Sequence, residues 1–136
     1  MAVDEGRRVA AWAAPIGGVV RPHAEIPGVW GILTPFPLGG GDLLRLWVDL
    51  GQGRVTDGGV VAERWLRLPR ARWAALRPAW RRALEEGGVL QFPDGEIGAP
   101  WPAPPEAAFD LVAAVLRGCA WVEAMRASAG EGEGLA

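Results

Sequence analysis

The chain contains no lysine, no tyrosine and no asparagine. It has one serine (Ser128), one histidine (His23), one cysteine (Cys119) and two threonines (Thr34 and Thr56). These gaps remove whole classes of chemistry. Schiff-base lysine, phosphate-loop lysine and tyrosine acid–base catalysis are excluded. A Ser-His-Asp triad would rest on Ser128, in a Gly- and Glu-rich terminal stretch ill suited to rigid positioning. One Cys and one His cannot complete a Cys/His zinc site within one chain. A single Cys leaves no intrachain disulfide, which fits a reducing compartment. No run of eighteen uncharged apolar residues is present, so we expect no membrane span and a cytoplasmic protein. The first twenty residues hold two arginines and an alanine-rich run. Asp4 and Glu5 precede those arginines, and Trp12, Pro15 and two glycines interrupt the run, so no targeting signal is expected.

What is present fits one soluble globular unit. Half of the 136 residues are apolar and 22% are charged. We expect a single α+β domain over residues 1–127 and a flexible C-terminal tail over 128–136. Eight tryptophans supply large buried areas, each with an N–H that needs a partner when buried. All fourteen basic side chains are arginine. A coding bias toward Ala, Gly, Arg, Pro and Trp explains that composition as well as any function does.

Residues 4–14 read as a short helix, with Val9, Trp12, Ala13 and Ile16 at helical spacing and Pro15 and Gly17–Gly18 closing it. Residues 19–26 read as a strand with Pro22 at an edge, and Pro27–Gly28 as a turn. A second strand covers 29–34, and Pro35 and Pro37 then take the chain out of the sheet. After the triple glycine 39–41, residues 43–49 form the clearest strand. Leu44, Leu46 and Val48 lie on one face, and Leu43, Arg45, Trp47 and Asp49 on the other. A tight turn returns the chain through Arg54–Thr56, giving an antiparallel meander.

A helix starts at residue 60, and Pro69 opens a second segment running to 86. Pro78 lies inside its apolar pattern and predicts a kink or two short helices. Residues 89–92 and 96–99 read as a second hairpin, residues 100–105 as a stiff connector. The helix at 106–127 is apolar over most of its circumference and is expected to be nearly surrounded by protein, or to form a homodimer seam. The fold expected is a small antiparallel sheet of four or five strands, a meander plus a second hairpin, packed against two to three helices.

The order of features between residues 25 and 125 resembles an uncharacterised family of bacterial and prophage proteins, domain-of-unknown-function family 1828. A strand runs into Thr34-Pro35-Phe36, a loop leads to Asp42 and an aliphatic strand, and Thr56-Asp57-Gly58-Gly59 opens a helix. The family's last motif usually carries a further acidic residue where this chain has Gly58. The resemblance implies an α+β domain of bacterial or phage origin with no settled activity, and the missing carboxylate weakens a catalytic reading of that motif.

Two constellations could carry function. Asp42, Asp49 and Asp57, with Glu25, offer oxygen ligands for a hard cation such as Mg²⁺, as a metal-dependent hydrolase or nuclease requires. Arg45 or Arg54 would then stabilise charge in its transition state. The simpler reading is structural: Asp57 caps a helix, and Asp42 and Asp49 flank turns. The second constellation is electrostatic. Residues 60–84 hold seven Arg against Glu63 alone, a net of +6, while the rest of the chain holds seven Arg against fifteen acids, a net of −8. On an ideal helix Arg70, Arg77 and Arg81 project together, beside the Trp73/Leu76/Trp80 face. Such a ridge could grip a nucleic-acid backbone or an acidic protein, or be an ordinary solvated face. The preferred expectation is a non-enzymatic binding or regulatory module that needs no cofactor. A metal-dependent hydrolase and a structural or oligomerising protein are the alternatives. His23 is read as a surface or strand residue, and Cys119 as an inert core thiol.

Overall fold

The structure, a computed structural model, describes the backbone of residues 2–135 and the side chains of residues 4–127. The fold is α+β. The elements are α1 (Ala2–Ala13), β1 (Val19–Pro22), β2 (Val29–Gly39), β3 (Asp42–Asp49), β4 (Arg54–Thr56), α2 (Val60–Trp65), α3 (Arg70–Glu86), β5 (Leu90–Gln91), β6 (Ile97–Pro100) and α4 (Glu106–Leu135). The six strands form one antiparallel sheet in the order β1-β2-β3-β4-β6-β5. The second hairpin thus joins the meander through β6 on β4, and the sheet exceeds the four or five strands expected.

Register divides the sheet into two unlike faces. Ile32 sits opposite Leu46, Trp30 opposite Val48, and Val55 opposite both Val48 and Ala99. With Leu44 and Ile97 they make an inner face on which Ile32, Leu44, Leu46, Val48, Val55 and Ile97 are all buried. Burying each such side chain contributes about 1.5–3 kcal/mol, so this row is the main apolar reservoir of the sheet. Val9, Trp12 and Ala13 of α1, Val61 and Trp65 of α2, Trp80 and Leu84 of α3, and Leu111, Val112, Val115 and Val122 of α4 complete one continuous core. The helices therefore cover one side of the sheet and leave the other open, an arrangement antiparallel sheets permit.

Several expectations at element boundaries are corrected. The strand expected over 19–26 stops at Pro22, because the His23 imidazole Nδ1 accepts the N–H groups of Glu25 and Ile26 at 3.0 Å each and folds the chain into a turn. β2 does not end before Pro35; it continues to Gly39. It can do so because β1 leaves off at Val19 opposite Leu33, so among the described residues the prolines lie where β2 pairs with β3 alone, at register shifts between Leu33 and Gly39. There the buried Thr34 hydroxyl donates to the Leu44 carbonyl at 2.8 Å, a cross-strand bond that needs no proline N–H. Gly40 and Gly41 then turn the hairpin with φ of 68° and 88°, the left-handed values a tight two-residue turn demands.

Pro78 does not split its helix. α3 runs unbroken from Arg70 to Glu86 with Pro78 inside. It ends where Gly87–Gly88 predicts: Val89 N–H bonds the Leu84 carbonyl at 2.9 Å and Gly88 N–H bonds Glu85 at 3.1 Å, with Val89 and Leu84 both buried. α4 continues to Leu135, past the boundary expected at 127, because a formed helix adds one hydrogen bond per residue and no proline follows to stop it. The side chains of 128–136, where the tail was expected, lie outside those described. Nor is α4 surrounded. Leu111, Val112, Val115, Cys119 and Val122 are buried, while Phe109 is 53% exposed and Ala113, Ala120 and Ala124 face solvent, alanine being cheap to leave wet. Among the described residues no helix is long and apolar enough to cross a membrane.

The β4–β6 contact is unusually close, since a Cβ on Gly98 would overlap the Val55 carbonyl. Gly40, by contrast, has open space around its would-be Cβ but a φ of 68°. Gly98→Ala should therefore cost about 3 kcal/mol or more by overpacking backbone, against about 1–2 kcal/mol for Gly40→Ala from left-handed strain alone. Urea unfolding midpoints of the two variants should show that order.

Candidate functional site

Asp57 is the most deeply engaged of the sequence-selected residues. It is buried, and both carboxylate oxygens are occupied by backbone donors. Oδ1 accepts from Gly59 N–H at 2.9 Å and from Ile97 N–H at 3.1 Å, while Oδ2 accepts from Val61 N–H at 3.1 Å. Its own N–H donates to the Ile97 carbonyl at 3.0 Å. Asp57 thus joins the end of β4, the first turn of α2 and the start of β6. Burial pushes its carboxyl above the ordinary range, and the backbone donors pull part of that shift back. Next to it, Thr56 accepts from Gly58 N–H and donates to Glu96, both at 3.1 Å.

The three aspartates do not converge. Asp42 and Asp49 stand at opposite ends of β3, separated by about 23 Å of strand at the usual rise per residue. Asp49 accepts from Gln52 N–H at 3.0 Å, a turn role, and both oxygens of Asp57 are engaged by backbone N–H groups. Among the described residues no group of three or more His, Cys, Asp or Glu side chains is placed to hold a metal ion. The carboxylate reading of Asp42, Asp49 and Asp57 is corrected on this geometry.

The arginines of the helical segment separate into two groups. Arg64 donates to the Leu38 carbonyl at 2.9 Å and Arg72 to the Met125 carbonyl at 3.0 Å, and Arg67 pairs with Glu63 at 3.0 Å. Arg70, Arg77, Arg81 and Arg82 are exposed, and none of them forms a salt bridge among the described residues. Arg77 lies over the Trp73 ring, 4.9 Å from its centroid. Trp65 and Trp80 are core residues, packed with Trp121 at centroid distances of 5.8–6.4 Å.

The open face of the sheet escaped the sequence reading. Successive rows across it are Val19–Leu33–Arg45, then Arg21–Gly31–Trp47–Thr56, then Val29–Asp49–Arg54. Val19, Leu33 and Leu43 are 56%, 39% and 43% exposed there, so this face is not the polar surface that alternation ordinarily gives. Trp47 lies at its centre and borders three depressions of about 700, 280 and 540 Å³. At one border, Arg54 pairs with Asp94 and, at 2.8 Å, with Glu96, and it stacks on Phe92 at 4.8 Å. The hydrogen bond from Arg54 holds the Asp94 carboxyl below its usual range, while partial burial raises that of Glu96. The alternation of β3 does place Trp47 and Arg45 on one face. What brings Arg21 and Gly31 beside them is strand register, which no local pattern encodes.

Comparison with protein-family models, with curated proteins and with solved structures finds no match to this chain.

The buried Asp57 carboxyl has a signature in stability. Its folded-state value lies above the unfolded one, so the folded state holds the proton more tightly, and ionisation costs stability as pH rises between the two. Asp57→Asn carries no such proton. Across pH 3–7 wild type should lose stability relative to Asp57→Asn as pH climbs through that window, with a constant difference above it, as read from urea midpoints.

Proposed function

We propose that this protein is a non-enzymatic binding or regulatory module that grips a nucleic-acid backbone through Arg70, Arg77 and Arg81. The observation that carries the proposal is a line of exposed guanidinium groups with no carboxylate partner among the described residues. At the rise of an α-helix, seven and four residues space them by about 10 Å and 6 Å. A linear array suits a linear polyanion, and arginine forks bind phosphate bidentately. The ridge stands out against a chain of net charge −2, which limits non-specific attraction elsewhere. The resemblance of Thr34-Pro35-Phe36 and Thr56–Gly59 to family 1828 belongs to the same proposal, with its bacterial or phage origin and cytoplasmic setting. The geometry at Asp42, Asp49 and Asp57 favours binding over hydrolysis.

A second reading rests on α4. Phe109, 53% exposed beside exposed alanines, supports a homodimer seam along that helix. Sedimentation equilibrium should then show a concentration-dependent dimer that Phe109→Glu abolishes.

The primary test is fluorescence anisotropy with single-stranded and duplex oligonucleotides between 50 and 300 mM salt. Reversing Arg70, Arg77 and Arg81 to Glu should weaken binding at least tenfold at low salt. It should also reduce the log K against log salt slope by about 2–3, at 0.7–0.9 per phosphate contact. Unchanged affinity and slope would overturn the proposal. Binding to polyglutamate but not to DNA, lost in the same variant, would make the partner an acidic protein instead.

A further inference from the structure

The Trp47 indole is held flat across the open sheet face by two residues that have no side chain. A Cβ on Gly31 would sit 3.1 Å from Cζ3 and 3.6 Å from Cε3 and Cη2, so the six-membered ring lies over Gly31. A Cβ on Gly58 would sit 2.7 Å from Cδ1 and 2.8 Å from Nε1, so the five-membered ring rests against Gly58. Gly58 has a φ of 68°, so the backbone there already selects glycine. His23 packs at one side, its ring centroid 5.9 Å away and tilted by 52°. His23 is itself fixed by the two N–H groups its Nδ1 accepts. The indole is only half-buried. The ring is supported from beneath by Gly31 and remains partly open to the depression it borders.

The ground beside that ring is cationic. Arg21 and Arg45 line the same depression of about 700 Å³, a size typical of small-ligand sites. Both are exposed and neither forms a salt bridge or side-chain hydrogen bond among the described residues. Register places them on either side of β2, Arg21 opposite Gly31 and Arg45 opposite Leu33. Glu25 is the one carboxylate among the described residues that lines the depression. A flat apolar platform, two uncommitted guanidinium groups and one acceptor match the parts of a nucleotide: a base, a phosphate and a donor edge or sugar hydroxyl.

We propose that this face is a nucleotide-binding site, with the base stacked on Trp47, the phosphate held by Arg21 and Arg45, and Glu25 accepting from the base or sugar. The inference deepens the nucleic-acid reading and rests on it for the class of ligand, but the residues are different ones. The arginine ridge belongs to the helical layer, and Trp47 to the other side of the sheet. The unit recognised could be a free nucleotide or one nucleotide of a single strand, and the two arms of the experiment separate them.

The experiment uses the full chain at 50 mM salt, with adenosine 5′-monophosphate by calorimetry and a fluorescent twelve-residue oligodeoxyadenylate by anisotropy. Trp47→Ala should weaken binding at least fivefold, as loss of one stacked base does. Trp47→Phe should retain most of the affinity, which a merely structural role for the indole would not predict. Arg21→Glu with Arg45→Glu should weaken it further while leaving the thermal midpoint near wild type. Binding of the monophosphate supports a free nucleotide as source; binding of the oligomer alone supports a strand. The proposal falls if wild type binds neither probe at millimolar concentration, or if the folded Phe and Glu variants and Trp47→Ala all match wild type. The ridge variant serves as the control. Loss with the ridge variant and not with Trp47→Ala sinks this site and leaves the first proposal standing, and the reverse result does the opposite.

Discussion

One buried carboxylate ties the architecture together. Asp57 accepts three backbone N–H groups from two elements distant in sequence, the start of α2 and the start of β6. Each bond replaces a water lost on burial, and a buried donor left without an acceptor costs about 1–3 kcal/mol. Those bonds fix where α2 begins, and hence where Val61 and Trp65 meet α4. They also fix the position of β6 against β4, which brings Glu96 within reach of Thr56 and Arg54. Both carboxylate oxygens of Asp57 are thus engaged in holding the junction together.

The absence of lysine gives arginine two kinds of work. Arg64 and Arg72 each satisfy a backbone carbonyl on another part of the chain, and Arg54 holds two carboxylates over a phenyl ring. A guanidinium is suited to such work because it is planar, multiply donating and weakly hydrated. Counting charge along the sequence therefore overstates the surface available to a partner. Arg70, Arg77, Arg81 and Arg82 are what remains of the helical segment after the structural uses are subtracted, and the first, second and third of these form the ridge.

Much of the fold was legible in local pattern. The alternation of residues 43–49 gave the buried face of β3 correctly, and the positive φ of Gly40, Gly41 and Gly88 shows why glycine marks the hairpin and the end of α3. Misreadings arose where tertiary context relieved a local penalty. Pro35 and Pro37 are tolerated because only one neighbour flanks that part of β2, and Pro78 lies in a helix that packing keeps whole. The separation of Asp42 and Asp49 was legible too, since the same pattern that made 43–49 a strand puts them at its two ends. The open face was not. It depends on which residues of β1, β2 and β3 lie abreast, and pairing across turns is long-range information.

The support beneath Trp47 also has a consequence for descent. Because the pyrrole edge occupies the space a side chain at 58 would need, the two positions cannot drift independently. A lineage that gains a carboxylate at 58 must first give up the indole at 47 or swing it off the sheet, and one that acquires tryptophan at 47 must first lose its side chain at 58. The empty side-chain position at 58 and the aromatic surface at 47 are therefore one feature, and neither can be altered without rebuilding the other.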